Sequence, residues 1–147
     1  VVETIAPLAP GVSIDNAVQR DFEVYADSEQ LFRALLNLVR NGADALIGAG
    51  AAPGADPMVR IRARKEAGAT VIEVCDNGPG VPPQARANLF QAGGTGLGLS
   101  IAADIVHAHG GDIMLVPAVA DRGLGGATFR ITLPPRRKRA FAAQEAA

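Results

Sequence analysis

Tight clusters of glycine constrain this chain more than any other feature of its sequence. Several of its seventeen glycines stand together at the ends of apolar segments, as in Gly78–Gly80, Gly93–Gly98 and Gly110–Gly111. Glycine is favoured where the backbone bends sharply or passes close to another group. A flexible linker would spread its glycines along the chain. Their clustering therefore predicts a folded domain whose loops turn tightly or approach a ligand.

Length and composition limit the class of protein. The 147 residues are enough for one domain, and 48% of them are hydrophobic, which predicts a packed core. The net charge is −1, so we expect no bulk attraction to nucleic acid. No apolar run approaches the roughly 20 residues that cross a bilayer, so we expect no membrane contact by this domain. The single cysteine, Cys75, excludes an internal disulfide and is expected to lie buried in a strand.

The strongest periodic pattern predicts a helix over Leu31–Ile47, with Asp27 as its N-cap. One face of this helix is apolar: Leu31, Leu35, Leu38, Val39 and Leu46. The opposite face is polar: Arg33, Asn37, Arg40, Asn41 and Asp44. A solvated surface would explain these polar residues, but asparagine is a poor helix former. Because Mg²⁺ takes oxygen ligands and shares them with phosphates and water, the two amides are also candidates for a nucleotide site.

Shorter patterns predict the remaining elements. Strands are expected over Val12–Asn16, Phe22–Ala26, Val59–Lys65, Val71–Cys75, Ile113–Val116 and Ala127–Leu133, and helices over Pro83–Phe90 and Leu99–His109. A hairpin turn is expected at Glu66–Gly68, and Gly110–Gly111 is expected to end the last helix.

Two glycine motifs lie at the ends of predicted elements: one follows a strand and the other precedes a helix. Asp76–Gly80 is either an ordinary turn or a site where a carboxylate accepts from an exocyclic amine such as that of adenine. Gly94–Gly98 precedes a helix and is either a flexible loop that caps this helix or a site where free backbone N–H groups and the helix dipole bind phosphate. It is not a P-loop, because no Lys-Ser/Thr pair follows at the required spacing.

The order of these motifs resembles the GHKL nucleotide-binding superfamily and, within it, the catalytic domain of sensor histidine kinases. Leu36–Ala43 is similar to the N box of that family, Asp76–Gly80 to the G1 box and Gly94–Leu99 to the G2 box. Gly126–Phe129 is similar to the family's final strand motif. The likeness covers residues 12–134, with a tail expected over residues 1–11 and a basic, alanine-rich tail over residues 135–147.

The resemblance implies a fold, cofactors and partners. The fold would be the Bergerat fold of the α/β class, a two-layer α+β sandwich in which helices cover one face of a mixed sheet. ATP and Mg²⁺ would bind between the helices and a lid. The γ-phosphate would pass to a histidine on a dimerisation domain, and a response regulator would be the partner downstream. The implied location is cytoplasmic, whether or not the parent protein is anchored in a membrane.

The resemblance also assigns site residues. Asn41 would ligate Mg²⁺, Asn37 would contact the phosphates and Arg33 would lie near the γ-phosphate. Asp76 would bind adenine, with Gly78 and Gly80 beside the base and Thr128 supporting Asp76. The G2 loop, which would face the phosphates, consists of Gly94, Thr95, Gly96, Leu97 and Gly98.

Three departures from the family pattern bear on function. ATP-hydrolysing relatives carry a glutamate where this chain has Asn37, which favours phosphotransfer over hydrolysis. The link from Phe90 to Gly94 is shorter than the usual lid, so either the lid is truncated or, as we favour, lid residues are missing from the sequence. Asp44 stands where many members carry a basic residue.

Other readings of the chain stay open. The alternatives to a kinase are a non-catalytic pseudokinase that acts as an interaction module and a GHKL ATPase. His107 and His109 are expected to be structural, which leaves the phosphoacceptor histidine to another domain.

Overall fold

The computed structural model describes residues 11–24, 26–49, 56–91, 97–117 and 124–135. Within them the chain forms β1 (Ser13–Asn16), α1 (Ser28–Ala49), β2 (Met58–Glu66), β3 (Ala69–Asp76), α2 (Pro83–Arg86), α3 (Leu97–Ala108), β4 (Asp112–Leu115) and β5 (Thr128–Leu133). The expected tails, apart from residues 11 and 135, lie outside the described residues.

The five strands form one mixed sheet in the order β1-β2-β3-β5-β4. β1 runs parallel to β2, whereas the other neighbouring pairs are antiparallel. Successive side chains of a strand face opposite sides of the sheet. Ile72 and Val74 of β3 join the apolar core with residues of α1 and α3. The predicted fold, a mixed sheet with helices on one face, is confirmed.

The long helix α1 begins as its sequence predicts. The carboxylate of Asp27 accepts a hydrogen bond from the backbone N–H of Gln30 at 3.0 Å, the geometry of an N-cap. Leu38, Val39 and Leu46 are buried on the apolar face. The helix therefore turns its polar face away from the core and leaves those side chains available for a site.

The predicted turn between β2 and β3 is present. Ala67 has φ 51° and Gly68 has φ 85°, so both central residues are left-handed, as a two-residue type I′ hairpin requires. At the end of α3, Gly110 has φ 75° and the N–H of Gly111 donates to the carbonyl of Val106 at 3.0 Å. These glycines end the helix as the sequence predicts.

Two predicted elements differ in the structure. The described residues of Phe22–Ala26 form no strand, because the chain turns there, with the N–H of Phe22 donating to Gln19 at 3.1 Å, and leaves the sheet for the N-cap of α1. The helix expected over Pro83–Phe90 ends at Arg86. The following turns bury Leu89 and set the ring of Phe90 edge-on to Phe129, with centroids 5.9 Å apart, so core packing decides their course.

The face of the sheet opposite to α1 and α3 carries a charged network around Glu73 of β3. The Glu73 carboxylate accepts from Arg62 at 2.7 Å, from Arg130 at 2.8 Å and from Arg64 at 3.1 Å. Glu73 is 1% exposed, and Cys75 on the same face is buried, as predicted. Burial alone would raise the pKa of the Glu73 carboxyl, but the arginine hydrogen bonds and charges outweigh it and hold the pKa below its ordinary value.

Candidate functional site

Asp76, the last residue of β3, is the centre of the site. Its side chain faces the helix layer, and the residue is only 5% exposed. Its Oδ1 accepts hydrogen bonds from the backbone N–H of Gly78 at 2.9 Å and of Ala127 at 3.2 Å. A carboxylate with this backbone support is held in a defined orientation at the end of a strand.

Helix α1 brings the N box beside this carboxylate. A methyl group built at Gly42 would lie 3.5 Å from Oδ2 of Asp76. Gly42 follows Asn41 directly, and Asn37 lies one turn earlier on the same polar face. Both asparagines are half-buried, whereas Arg33 is exposed. The fold therefore sets α1 beside Asp76 at Gly42, and the same helix carries Asn37, Asn41 and Arg33.

The turn after Asp76 is shaped by its glycines. Gly78 packs so closely that an added methyl group would lie 3.2 Å from Oδ1 of Asp76, and Gly80 has φ 82°. Asn77 is a residue that sequence reasoning passed over. Its side-chain oxygen accepts from the N–H of Met58 at 2.9 Å, and its amide donates to the carbonyl of Asp56 at 2.7 Å. Asn77 thus ties the turn to the start of β2, and the Asn-Gly pair was the available signal.

Thr128 is buried at the start of β5, where it pairs in register with Cys75. Strand alternation directs its side chain to the face that carries Arg130, opposite to the face that Asp76 joins. The backbone of Ala127, one residue earlier, holds the Asp76 carboxylate. The backbone N–H of Ala127 thus supports Asp76, and the role of Thr128 stays a prediction.

Of the predicted G2 loop, Gly94, Thr95 and Gly96 lie outside the described residues. Leu97 and Gly98 form the first turn of α3, a 12-residue helix that packs on α1. The loop therefore leads into the N-terminus of a helix next to the one that carries Asn37 and Asn41. The phosphate-binding role of the loop stays a prediction.

A cavity of about 460 Å³, a volume within the range typical of ligand pockets, lies beside the turn that follows Asp76 and is lined there by Pro79 and Gly80. It shares Gly80, Gly126 and Ala127 with the surroundings of Asp76, but neither Asp76 nor any residue of α1 lines it. Its apolar wall includes Val81, Leu89 and Phe90. The sequence analysis did not name these three residues. The apolar positions that follow the G1 motif were the pattern that could have indicated them.

The expectation that lid residues are missing from the sequence falls on the short link before the G2 loop, and it stays a prediction. The link itself, residues 92–96, lies outside the described residues.

The donors at the site suit a nucleotide-bound Mg²⁺. Within the described ranges, no cluster of three or more histidine, cysteine, aspartate or glutamate residues could hold a metal by itself. Neutral amides such as Asn37 and Asn41 can supply one or two oxygen ligands to an ion that takes its other ligands from phosphates and water.

Comparison with known proteins identifies the family. The profile described as "Histidine kinase-, DNA gyrase B-, and HSP90-like ATPase" matches residues 26–137. The chain belongs to this family. The sensory histidine kinase/phosphatase NtrB of Vibrio alginolyticus is 32% identical over 138 residues, covering 80% of this chain and 37% of NtrB.

Solved structures agree in fold. The mycobacterial sensor histidine kinase MprB matches with a TM-score of 0.69 and 29% identity, over 91% of this chain and 90% of that one. Full-length ShkA in complex with AMPPNP matches with a TM-score of 0.70 and 31% identity, over 90% of this chain and 28% of ShkA. The fold and motifs are those of an ATP-binding domain of the histidine-kinase type, as the resemblance implies.

The chain spans only 37% of the length of NtrB, so the activity and partners of the whole protein are matters for proposal. In the part of the chain that the structure describes, no helix combines the length and apolar character needed to cross a bilayer.

Proposed function

We propose that this chain is the catalytic domain of a protein-histidine kinase, which binds ATP with Mg²⁺ and phosphorylates a histidine on a separate dimerisation domain. The observation that carries the proposal is the buried Asp76 carboxylate, which is held by two backbone N–H groups and lies next to Gly42 of α1, the helix that carries Asn37 and Asn41. A response regulator would be the partner downstream, and the reaction would take place in the cytoplasm, where ATP is available.

Asp76 would recognise the base of the nucleotide. A carboxylate only accepts hydrogen bonds, so it pairs with the exocyclic amine of adenine and is repelled by the carbonyl that guanine presents at the matching position. Gly78 and Gly80 allow the backbone to pass beside the ring. Val81, Leu89 and Phe90 of the neighbouring cavity would supply apolar surface next to the base.

Asn41 would hold the metal and Asn37 the phosphates, while Arg33 would lie near the γ-phosphate. The N-terminus of α3 adds backbone N–H groups and a positive dipole end. The bound Mg²⁺ would supply charge stabilisation to the transferring phosphoryl group. The chain itself contributes position and electrostatics rather than a nucleophile.

Transfer to a histidine is favoured over hydrolysis by the residue at position 37. Hydrolysis needs a base that activates water, and the amide of Asn37 is a poor base. An imidazole acceptor is itself a nucleophile and needs less activation.

The two histidines of this chain are poor candidates for the acceptor. His109 has both ring nitrogens within hydrogen-bond distance of backbone groups, and His107 sits in the last turn of α3. The acceptor is therefore assigned to another domain.

Calorimetric titration with a non-hydrolysable ATP analogue tests the proposal. Wild type should bind it saturably, more tightly with Mg²⁺, and should not bind the GTP analogue comparably. Asp76→Asn should lose affinity for the ATP analogue by about 10- to 100-fold, since hydrogen bonds to charged groups contribute about 1.5–3 kcal/mol.

Asn88→Ala, a change at an exposed position, is the matched control and should bind like wild type. A folded wild-type chain that binds no nucleotide would refute the kinase assignment and favour an interaction module. Steady release of phosphate from ATP without an acceptor would favour an ATPase.

A further inference from the structure

We propose that Gly126 is a positioning residue for base recognition, because its missing side chain lets the segment before β5 hold the Asp76 carboxylate in one orientation. This inference rests on the proposed function, in which Asp76 pairs with the amine of the base.

The segment before β5 contacts Asp76 at both its main chain and its side chain. The N–H of Asp76 donates to the carbonyl of Ala127, and the N–H of Gly126 donates to the carbonyl of Asp76, both at 3.0 Å. The N–H of Ala127 reaches Oδ1 of the side chain at 3.2 Å, and the N–H of Gly78 reaches the same oxygen at 2.9 Å. Rotation of the carboxylate would weaken both contacts to Oδ1, so these two N–H groups set its direction.

Gly126 makes this approach possible. A methyl group built at Gly126 would overlap Oδ1 of Asp76 and would lie 2.5 Å from the carbonyl oxygen of Asp76 and 2.7 Å from the nitrogen of Gly78. The last two atoms belong to the backbone, so no flexible side chain can move aside to make room. Any larger residue at position 126 must push the segment away from Asp76.

The other side of the carboxylate has more room. A methyl group at Gly42 would lie 3.5 Å from Oδ2 of Asp76, an ordinary van der Waals distance. The space around the carboxylate is therefore tighter on the side of Gly126 than on the side of Gly42 in α1.

A side chain at position 126 should affect recognition of the base and no other part of the nucleotide. A displaced 126–127 segment would leave Asp76 in place as the end of β3 but would misdirect its carboxylate. The chain would then lose its preference for a base that carries an amine, while contacts to sugar and phosphates would remain.

Binding measurements on variants test this inference. The ligands are a non-hydrolysable ATP analogue and the same compound with a purine base that lacks the 6-amino group. Wild type should prefer the amine-bearing analogue by about 10- to 100-fold. Gly126→Ala should lose most of that preference, with its affinity for the amine-free analogue within about 2-fold of wild type.

A double-mutant cycle separates positioning from general damage. Gly126→Ala should cause little further loss of the preference in an Asp76→Asn background, because both changes act through one carboxylate. Gly48→Ala is the matched control, since a methyl group there would meet nothing within 4 Å. It should keep the wild-type preference.

The outcomes are distinguishable. A wild-type chain that binds neither analogue refutes the proposed function itself. A wild-type chain that discriminates, together with a Gly126→Ala variant that discriminates equally, overturns only the positioning role.

If Gly126→Ala does not fold, NMR on wild type decides. The amide resonances of Gly78 and Ala127 should shift more with the amine-bearing analogue than with the amine-free one. Equal shifts would overturn the inference.

Discussion

The imidazole Nε2 of His109 accepts a hydrogen bond from the backbone N–H of Asp27 at 3.1 Å and so joins the end of α3 to the N-cap of α1. The other ring nitrogen, Nδ1, lies 2.8 Å from the carbonyl oxygen of Ile105. A backbone N–H can only donate and a carbonyl can only accept, so a neutral ring with its proton on Nδ1 satisfies both partners. This bond links α1, the helix that carries the N box, to α3, the helix that follows the G2 loop.

Replacing His109 with alanine should destabilise the domain by about 1 kcal/mol, since it removes the link between the two helices. Urea unfolding followed by circular dichroism measures the change. His107→Ala, on an exposed position of the same helix, is the control and should shift the unfolding free energy by less than about 0.5 kcal/mol. Equal effects of the two changes would mean that the bond to Asp27 contributes nothing.

Glu73 should make the stability of the domain depend on acid pH. Burial would raise the pKa of its carboxyl, but Arg130, Arg62 and Arg64 lower it below its ordinary value. A lowered folded-state pKa stabilises the fold above the unfolded-state pKa, and this stabilisation is lost as the pH falls through the folded value. Wild type should therefore lose stability between about pH 5 and pH 3 more steeply than Glu73→Gln.

At neutral pH, Glu73→Gln should be less stable than wild type by about 2 kcal/mol, because three arginines lose their carboxylate. Glu66→Gln is the control, since Glu66 pairs with Arg64 at the surface and should change stability by less than about 1 kcal/mol. A gap between wild type and Glu73→Gln that stays constant from pH 7 to pH 3 would contradict this account.

Gly42→Ala should stabilise the domain by about 0.5–1 kcal/mol. Glycine in the interior of a helix costs about that much relative to alanine. The added methyl group would make ordinary contacts, 3.4 Å from Cγ2 of Val59 and 3.5 Å from Oδ2 of Asp76. Thermal unfolding at neutral pH measures the gain, and a lower melting temperature would show that α1 packs too tightly against β2 and β3 for a side chain here.

Asn41→Ala should remove the advantage that Mg²⁺ gives to ATP binding. We expect affinity for a non-hydrolysable ATP analogue to fall about 10-fold with Mg²⁺ and to stay close to wild type in EDTA, since one metal ligand is lost and the base site is intact. Titrations of Asn41→Ala and Asp76→Asn with and without Mg²⁺ make the comparison. An equal loss in both buffers would assign Asn41 to the nucleotide rather than to the metal.

Much of the site was predictable because its motifs are local. Short-range patterns predict the strand before Asp76, the glycine turn after it and the asparagine face of α1, and the order of these motifs indicates the family. The strand expected over Phe22–Ala26 does not form in its described residues, 22–24 and 26, because these meet no neighbouring strand: the chain turns at Phe22 and goes to the N-cap of α1. Strand propensity without a partner does not form a strand.

The sequence by itself determined the periods of the elements, the N-cap at Asp27, the hairpin turn at Glu66–Gly68 and the glycine and asparagine motifs of the candidate site, because these depend on neighbours within a few positions. Only the tertiary structure decided which groups hold Asp76. Ala127 is 51 residues away along the chain and contributes through its backbone N–H, a group that every residue except proline carries and that leaves no mark in a sequence pattern. Strand order and helix packing likewise decide three other features. These are the approach of Gly126 to Asp76, the bond between His109 and Asp27, and the arginines around Glu73.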